Sequence, residues 1–386
     1  MTEWIECTLD KLGEIVGGAT PSTKCEDYYG GSIPWITPKD LSSFKGRYIT
    51  SGERNITEKG LASCSAQMMP KDAVLFTSRA PIGYVAIASQ SVCTNQGFKS
   101  IVVNEKADPL FVYYLLKYNK DAIEAMGSGT TFKEVSGKTM RAVKVRIPLD
   151  VSYQKRIAAV LDSLDTKIEN NERINDNLQQ QAAALFANFY DQAETEVGFT
   201  EMIQILGGGT PKTGESSYWN GDIPFFTPKD VGFPYTLTTE KTITEEGLAH
   251  CNSRLYPINT VFVTARGTVG KVGLPGVPMA MNQSCYALVG KDTHQLLVYF
   301  YTLKAVDRLK HKASGAVFDA ITTRDFEAEN IMKLSDDDTK AFLDVAEPIY
   351  QAVLNNSIEN LRLSELRDSL LPKLMNGEID VTDIRL

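Results

Sequence analysis

Between Ser152 and Tyr190 the chain holds neither proline nor glycine. Apolar or small residues return there at Ile157, Leu161, Leu164, Ile168, Leu178, Ala182, Leu185 and Phe189, in steps that alternate four and three. That spacing is the seam of a coiled coil, one face of a long helix. Two seam positions are polar, Asn171 and Asn175. The pattern recurs 185 residues later, at Phe342, Ala346, Ile349, Val353, Asn356, Asn360, Leu363, Arg367, Leu370 and Leu374, with the two asparagines in the same places. Each seam covers 33 residues, roughly 50 Å of helix at ~1.5 Å per residue. The midpoint of each lies between its two asparagines. Paired antiparallel in full register, the two helices bring polar centre against polar centre, which costs stability and fixes register. Pro348 threatens this reading. It predicts a kink, or a separate N-terminal turn, in the second helix.

The stretches before the two helices read differently. Short β-rich runs at 73–78, 84–88, 100–103 and 143–147 lie between Gly, Pro and Asn clusters, and 109–124 has helical spacing. These stretches are also copies of one another. Residues 17–41 (GGATPSTKCEDYYGGSIPWITPKDL) and 207–231 (GGGTPKTGESSYWNGDIPFFTPKDV) agree at 13 of 25 positions at an offset of 190. The match continues through Ile56–Leu61 and Ile243–Leu248, Arg79 and Arg266, Gly83 and Gly270, and Asn95-Gln96 and Asn282-Gln283 at 187. It ends at Ser128-Gly129 and Ser314-Gly315, at 186. So long a period means a duplicated domain rather than a solenoid. The expected architecture is two α/β (α+β) globular domains, each with a twisted, partly open sheet, alternating with two long helices. The boundaries are 1–150, 151–193, 194–333 and 334–386. If the helices run antiparallel, a twofold pseudo-axis relates the halves, and one chain imitates a symmetric dimer.

Catalysis finds little support. The three histidines, His250, His294 and His311, all fall in the second half, so no histidine chemistry is duplicated. No Walker loop, G-x-G-x-x-G, H-E-x-x-H or G-x-S-x-G is present. The six cysteines contain no C-x-x-C pair, which argues against a zinc site or disulfide framework and for a reducing cytoplasm. The N-terminal stretch lacks the basic segment of a signal peptide, and no run of about 18 apolar residues predicts a membrane span.

What is duplicated is a polar loop set. The first copy offers Thr20, Thr37, Lys39, Arg79, Asn95, Gln96, Ser128, Gly129 and Lys133. The second offers Thr210, Lys212, Thr227, Lys229, Arg266, Asn282, Gln283, Ser314 and Gly315. Arg, Asn and Gln read base edges with paired hydrogen bonds, while Lys, Ser, Thr and backbone amides position phosphates. Asp40 and Asp230 read instead as helix caps or turn braces. An alternative stays open on these residues alone: a duplicated peptide- or glycan-binding module on a coiled-coil scaffold.

The chain resembles the specificity subunit of type I restriction–modification systems. The carrying stretches are the duplicated block above, TSRAPIGYVAI (77–87), TNQGFKSI (94–101), SGTTFKEVSGKTMRAVKVRIPL (128–149), the helix 154–190 and the terminal LRLSELRDSLLPKLMNGEI (361–379). The resemblance implies two target recognition domains on double-stranded DNA and an antiparallel coiled coil that measures the unread gap. It also implies two methyltransferase subunits that bind S-adenosylmethionine and methylate adenine, and restriction subunits that use ATP and Mg. The specificity subunit itself then carries no catalytic site, cofactor or metal. Two departures stand out. The lead-in to the second helix lacks the proline of the first, and Ser284 replaces Gly97.

A net charge of −8, from 40 basic and 48 acidic residues, looks wrong for a DNA binder. Divided along the chain, 1–150 is at +2 and 198–330 at −1, while 151–197 and 331–386 carry −4 and −5. The acidity therefore belongs to the helices.

Overall fold

The computed structural model describes residues 3–129, 133–232, 234–312 and 320–384. The chain divides into two compact units. One comprises Met1–Glu169 with Leu363–Leu386, and the other Asn170–Arg362. Each unit takes a domain and one half of each long helix.

The first unit holds a five-stranded sheet in the order Gly13–Gly17, Lys99–Val103, Val74–Ser78, Ile82–Ala88, Tyr48–Ile49. All neighbours are antiparallel except the last pair. A three-stranded sheet runs Arg54–Ile56, Tyr29–Ile36, Cys93–Thr94, and Trp4–Thr8 pairs antiparallel with Lys144–Pro148. The second unit repeats this order strand for strand. Its five-stranded sheet is Ile203–Gly207, Cys285–Gly290, Val261–Thr264, Val272–Pro275, Tyr235–Thr236. Its three-stranded sheet is Thr242–Ile243, Trp219–Phe226, Ala280–Met281, and Thr195–Gly198 pairs with Asn330–Lys333. The duplication seen in sequence is thus a duplication of topology.

Local chemistry explains the elements. Asp108 caps the helix Pro109–Tyr118 by accepting from Phe111 N at 3.0 Å, with Pro109 opening the first turn. The predicted helix over 109–124 is in fact two, Pro109–Tyr118 and Lys120–Ala125. The break falls at Asn119, whose backbone leaves helical geometry (φ −89°, ψ 6°) and whose side chain donates to Leu115 O at 2.8 Å. Thr57 and Thr244 cap the paired short helices, accepting from Gly60 N at 3.1 Å and Gly247 N at 3.0 Å.

The central helix spans Val151–Gln192 and the C-terminal helix Asp336–Met375. They pair antiparallel. In the second unit Asn171 Nδ2 donates to Asn360 Oδ1 at 2.8 Å and to Glu359 Oε2 at 2.7 Å, and Asn356 Nδ2 donates to Asn175 Oδ1 at 2.8 Å. Residue numbers rise on one helix as they fall on the other. The polar seam positions therefore meet, as the register predicts. The C-terminal helix runs without interruption through Pro348. Buried Phe342, Ala346, Tyr350 and Val353 anchor it on both sides, and this packing outweighs the lost backbone donor.

Candidate nucleic-acid interface

In each unit the duplicated loops gather beside the three-stranded sheet, and many of their polar groups hold one another. Thr20 donates to Gln96 Oε1, and Thr210 donates to Gln283 Oε1. Asn95 Oδ1 accepts from Gly97 N at 2.8 Å, and Asn282 Oδ1 accepts from Ser284 N at 3.0 Å. Both asparagines therefore brace their own turn through one atom. Gly18 and Gly208 allow the loops to close. A Cβ on either would lie 2.1 Å from a carbonyl oxygen, of Thr94 or of Asn282.

Asp40 caps the short helix Pro38–Ser42, and Asp230 braces the corresponding turn, where no helix forms. Asp40 Oδ2 accepts from Thr37 N at 2.7 Å and from its hydroxyl at 2.6 Å, while Oδ1 accepts from Glu53 N at 2.8 Å. Asp230 does the same with Thr227, at 2.8 and 2.6 Å, and with Glu240 N at 2.8 Å. The Thr37 and Thr227 hydroxyl protons are thus committed inside the protein, and these residues shape the loop. Lys39 and Lys229 are well exposed and meet Glu53 at 2.7 Å and Glu240 at 3.8 Å. Such exposed pairs are weak and can exchange for a phosphate.

Arg79 and Arg266 sit where the strands Val74–Ser78 and Val261–Thr264 end. Gly83 and Gly270, four residues on, have φ of +100° and +72°, so the common Arg-x-x-x-Gly spacing is a turn that demands glycine. Arg79 lies 3.5 Å from Glu134, which Lys99 also approaches at 3.7 Å. Burial holds the Lys99 ammonium below its ordinary range and Glu134 partly restores it. In the second unit Ile321 N donates to Ala265 O at 2.9 Å as Val135 N does to Ser78 O, which puts Ala320, bridged to Arg266, at the position of Glu134. Ser128 exchanges backbone hydrogen bonds with Glu134 at 3.0 and 2.9 Å, Gly129 has φ +129°, and Lys133 and Lys212 are exposed. Ser314 and Gly315 lie outside the described residues.

The second unit brings Thr227, Lys229, Arg266 and Asn282 to one open depression of about 690 Å³. Lys241, Lys271 and Ser284 share its wall, so among the described residues four cations line it with one carboxylate, Glu240. Sequence reasoning missed Lys241 and Lys271. A signal existed for Lys241, because Arg54 stands at the same place in the first copy. None existed for Lys271, whose counterpart is Tyr84. Among the described residues no cluster of three His, Cys, Asp or Glu could hold a metal, and no helix is long and apolar enough to cross a membrane.

The family described as the type I restriction modification DNA specificity domain matches residues 1–180 and 195–333. The chain belongs to this family. It is 30% identical to the type I restriction enzyme MjaIX specificity subunit of Methanocaldococcus jannaschii, over 99% of this chain and 95% of that one. It is 24% identical to the HindI specificity subunit of Haemophilus influenzae, over 73% and 80%. A crystal structure of a type I S subunit from M. genitalium superposes with a TM-score of 0.62 at 15% identity, covering 97% of this chain and 96% of that one, which establishes a shared fold. As a type I specificity subunit, the chain has duplicated sheet-rich domains and a paired helix scaffold.

Proposed function

We propose that each sheet-rich unit reads one half of a split DNA target. The observation that carries this reading is the repeated loop set, whose Thr, Lys, Arg and Asn members in the second unit converge on one cationic depression. Lysines there suit phosphates, and Arg266 with Asn282 suits base edges. The paired helices set the unread gap between half-sites and recruit two methyltransferase subunits, which bring S-adenosylmethionine. Restriction subunits bring ATP and Mg. The chain itself contributes recognition and no catalytic group. Its acidic helices and near-neutral domains suit a subunit whose phosphate contacts are largely supplied by its complex.

Methylome sequencing of cells with and without this gene tests the reading, and a split motif is expected. Arg79→Ala and Arg266→Ala should each relax one half-site by roughly 1–3 kcal/mol. Equal relaxation of both half-sites by either change counts against independent domains. A heptad inserted near residue 171 should alter the tolerated gap and leave both half-sites intact.

A further inference from the structure

Arg47 fills a socket in the first unit whose counterpart in the second stands open. The equivalence is set by backbone geometry. Arg47 O accepts from Ile87 N at 2.7 Å beside the parallel pair Tyr48↔Ile87, and Pro234 O accepts from Leu274 N at 2.8 Å beside Tyr235↔Leu274. Only 6% exposed, the Arg47 side chain reaches the central helix. It donates to Asp162 O at 2.9 Å, Thr166 Oγ1 at 2.9 Å and Glu169 Oε2 at 3.1 Å, and Nη1 lies 2.8 Å from Asp162 Oδ1. Proline sends no such side chain.

Two of the three receiving positions keep polar side chains, while that of Glu169 is the buried Leu354. Glu347 and Gln351 occupy the helix positions of Asp162 and Thr166, at the helical offset of 185. With Tyr235, Tyr299 and Tyr350 they line a cavity of about 540 Å³. His294 Nε2 is 2.7 Å from Glu347 Oε1, and the second carboxylate oxygen has no partner among the described residues. A carboxylate and an amide four residues apart on one helix face, beside tyrosine rings, match a planar guanidinium better than a point-like ammonium.

We propose that this cavity seats an arginine side chain presented by a partner polypeptide, the intermolecular counterpart of Arg47. A polypeptide fits better than a free cation, because the rim carries Pro348 and Ile258, the latter 41% exposed, and only a chain bearing the arginine can cover them. The site does not depend on the DNA reading.

The probe is acetyl-Gly-Arg-Gly-amide, titrated into the full chain carrying fluorotyrosine and followed by fluorine resonances of Tyr235 and Tyr299. Saturable binding is expected, in the millimolar range for so small a ligand. The citrulline peptide, uncharged and of the same shape, should bind at least tenfold more weakly. Glu347→Gln, a half-exposed site, should weaken the arginine peptide at least tenfold. Pro234→Arg should abolish binding, because the chain then fills its own socket. Equal binding of citrulline, indifference to both substitutions, or free guanidinium ion binding as tightly as the peptide would overturn the proposal.

Discussion

The two units solve one packing problem with opposite chemistry. Where the domain helix meets the long helices, the first unit buries ions. Tyr114 donates to Asp165 Oδ2 at 2.7 Å, Arg367 Nη1 donates to Asp165 Oδ1 at 2.6 Å, and Arg47 reaches Asp162 and Glu169 alongside. Burial works against the Arg47 charge, and Tyr114, Asp162 and Glu169 reverse the effect and hold its pKa above the ordinary value. At the matching positions of the second unit stand Phe300, Tyr350 and Ala182. There the rings pack on one another, Phe186 on Phe300 at 4.9 Å, Phe300 edge-on to Phe342 at 5.1 Å, and Tyr350 to Phe300 at 5.7 Å. Three positions differ together: Tyr–Asp–Arg became Phe–Tyr–Ala, or the reverse. A buried charge tolerates no half-measure, so the members of such a cluster must change as a set.

Breaking that set gives the largest expected effect. Arg367→Ala leaves the buried Asp165 carboxylate without its cation and should cost about 3–5 kcal/mol in chemical denaturation. Hydrogen exchange should localise the loss around Ile157 and Leu161, with Phe186 still protected. Converting the whole set to apolar residues, Tyr114→Phe with Asp165→Leu and Arg367→Leu, should recover most of that loss. If the triple variant is no more stable than Arg367→Ala, the ions are a structural necessity and not one of two equivalent solutions. The mirror experiment is Phe300→Ala, which should cost about 3–5 kcal/mol through a cavity confined to the second unit.

The polar seam comes next. Asn356→Leu alone strands the Oδ1 of Asn175, a residue only 6% exposed, and should cost about 1–3 kcal/mol. Leucine at both positions should restore stability and weaken the preference for a single register. A double variant as unstable as the single one falsifies the view that these asparagines serve register rather than stability.

A smaller effect tests where the two loop sets differ. Lys271→Tyr gives the second unit the residue of the first, Tyr84. It should lower the salt dependence of DNA binding by about one phosphate contact, roughly uniformly across sequences. A change confined to one base position would make Lys271 a base reader instead.

These comparisons also mark how far the sequence could be read. The duplication, both helices and the meeting of Asn171 with Asn360 were legible, because repeats and seam spacing are local or periodic signals. The role of Asp40 and Asp230 was legible for the same reason: a cap or a turn brace lies within three residues of its partner. Arg47 was not. Its partners Asp162, Thr166 and Glu169 lie more than a hundred residues away, and its counterpart Pro234 carries no trace of the socket. The depression wall was half legible. Arg54 and Lys241 are both basic, but Lys271 is brought in by a strand pairing that no spacing announces. Pro348 misled, because a local rule against proline in helices says nothing of Phe342 and Tyr350 holding the helix on either side.

The smallest effect concerns a strap on the first unit. After the C-terminal helix, Gly377 turns at φ +73° against the Trp4 ring, and the buried Val381 N donates to Tyr153 OH at 3.3 Å. Asp380 Oδ1 accepts from the Thr382 hydroxyl at 2.6 Å, from Thr382 N at 2.9 Å and from Tyr153 OH at 3.0 Å. These bonds hold its carboxyl below the ordinary value of 3.8, the Thr382 hydroxyl foremost. The folded form thus prefers the carboxylate more than the unfolded form does. The strap's stability is fully present above the unfolded pKa and is lost as pH falls through the lower folded value. Asp162 and Glu169 work in the opposite sense. Burial raises both, Arg47 only partly offsetting it, so the folded state takes up their protons first and gains from them on acidification. Strap release should therefore precede any loss of the first unit's core. The fluorine resonance of 5-fluorotryptophan at Trp4 should shift as pH falls below the ordinary carboxylate range while Ile157 remains protected from exchange. Asp380→Asn should show the released resonance already at neutral pH. If Trp4 and the core respond at the same pH in both proteins, the strap is not a separate element.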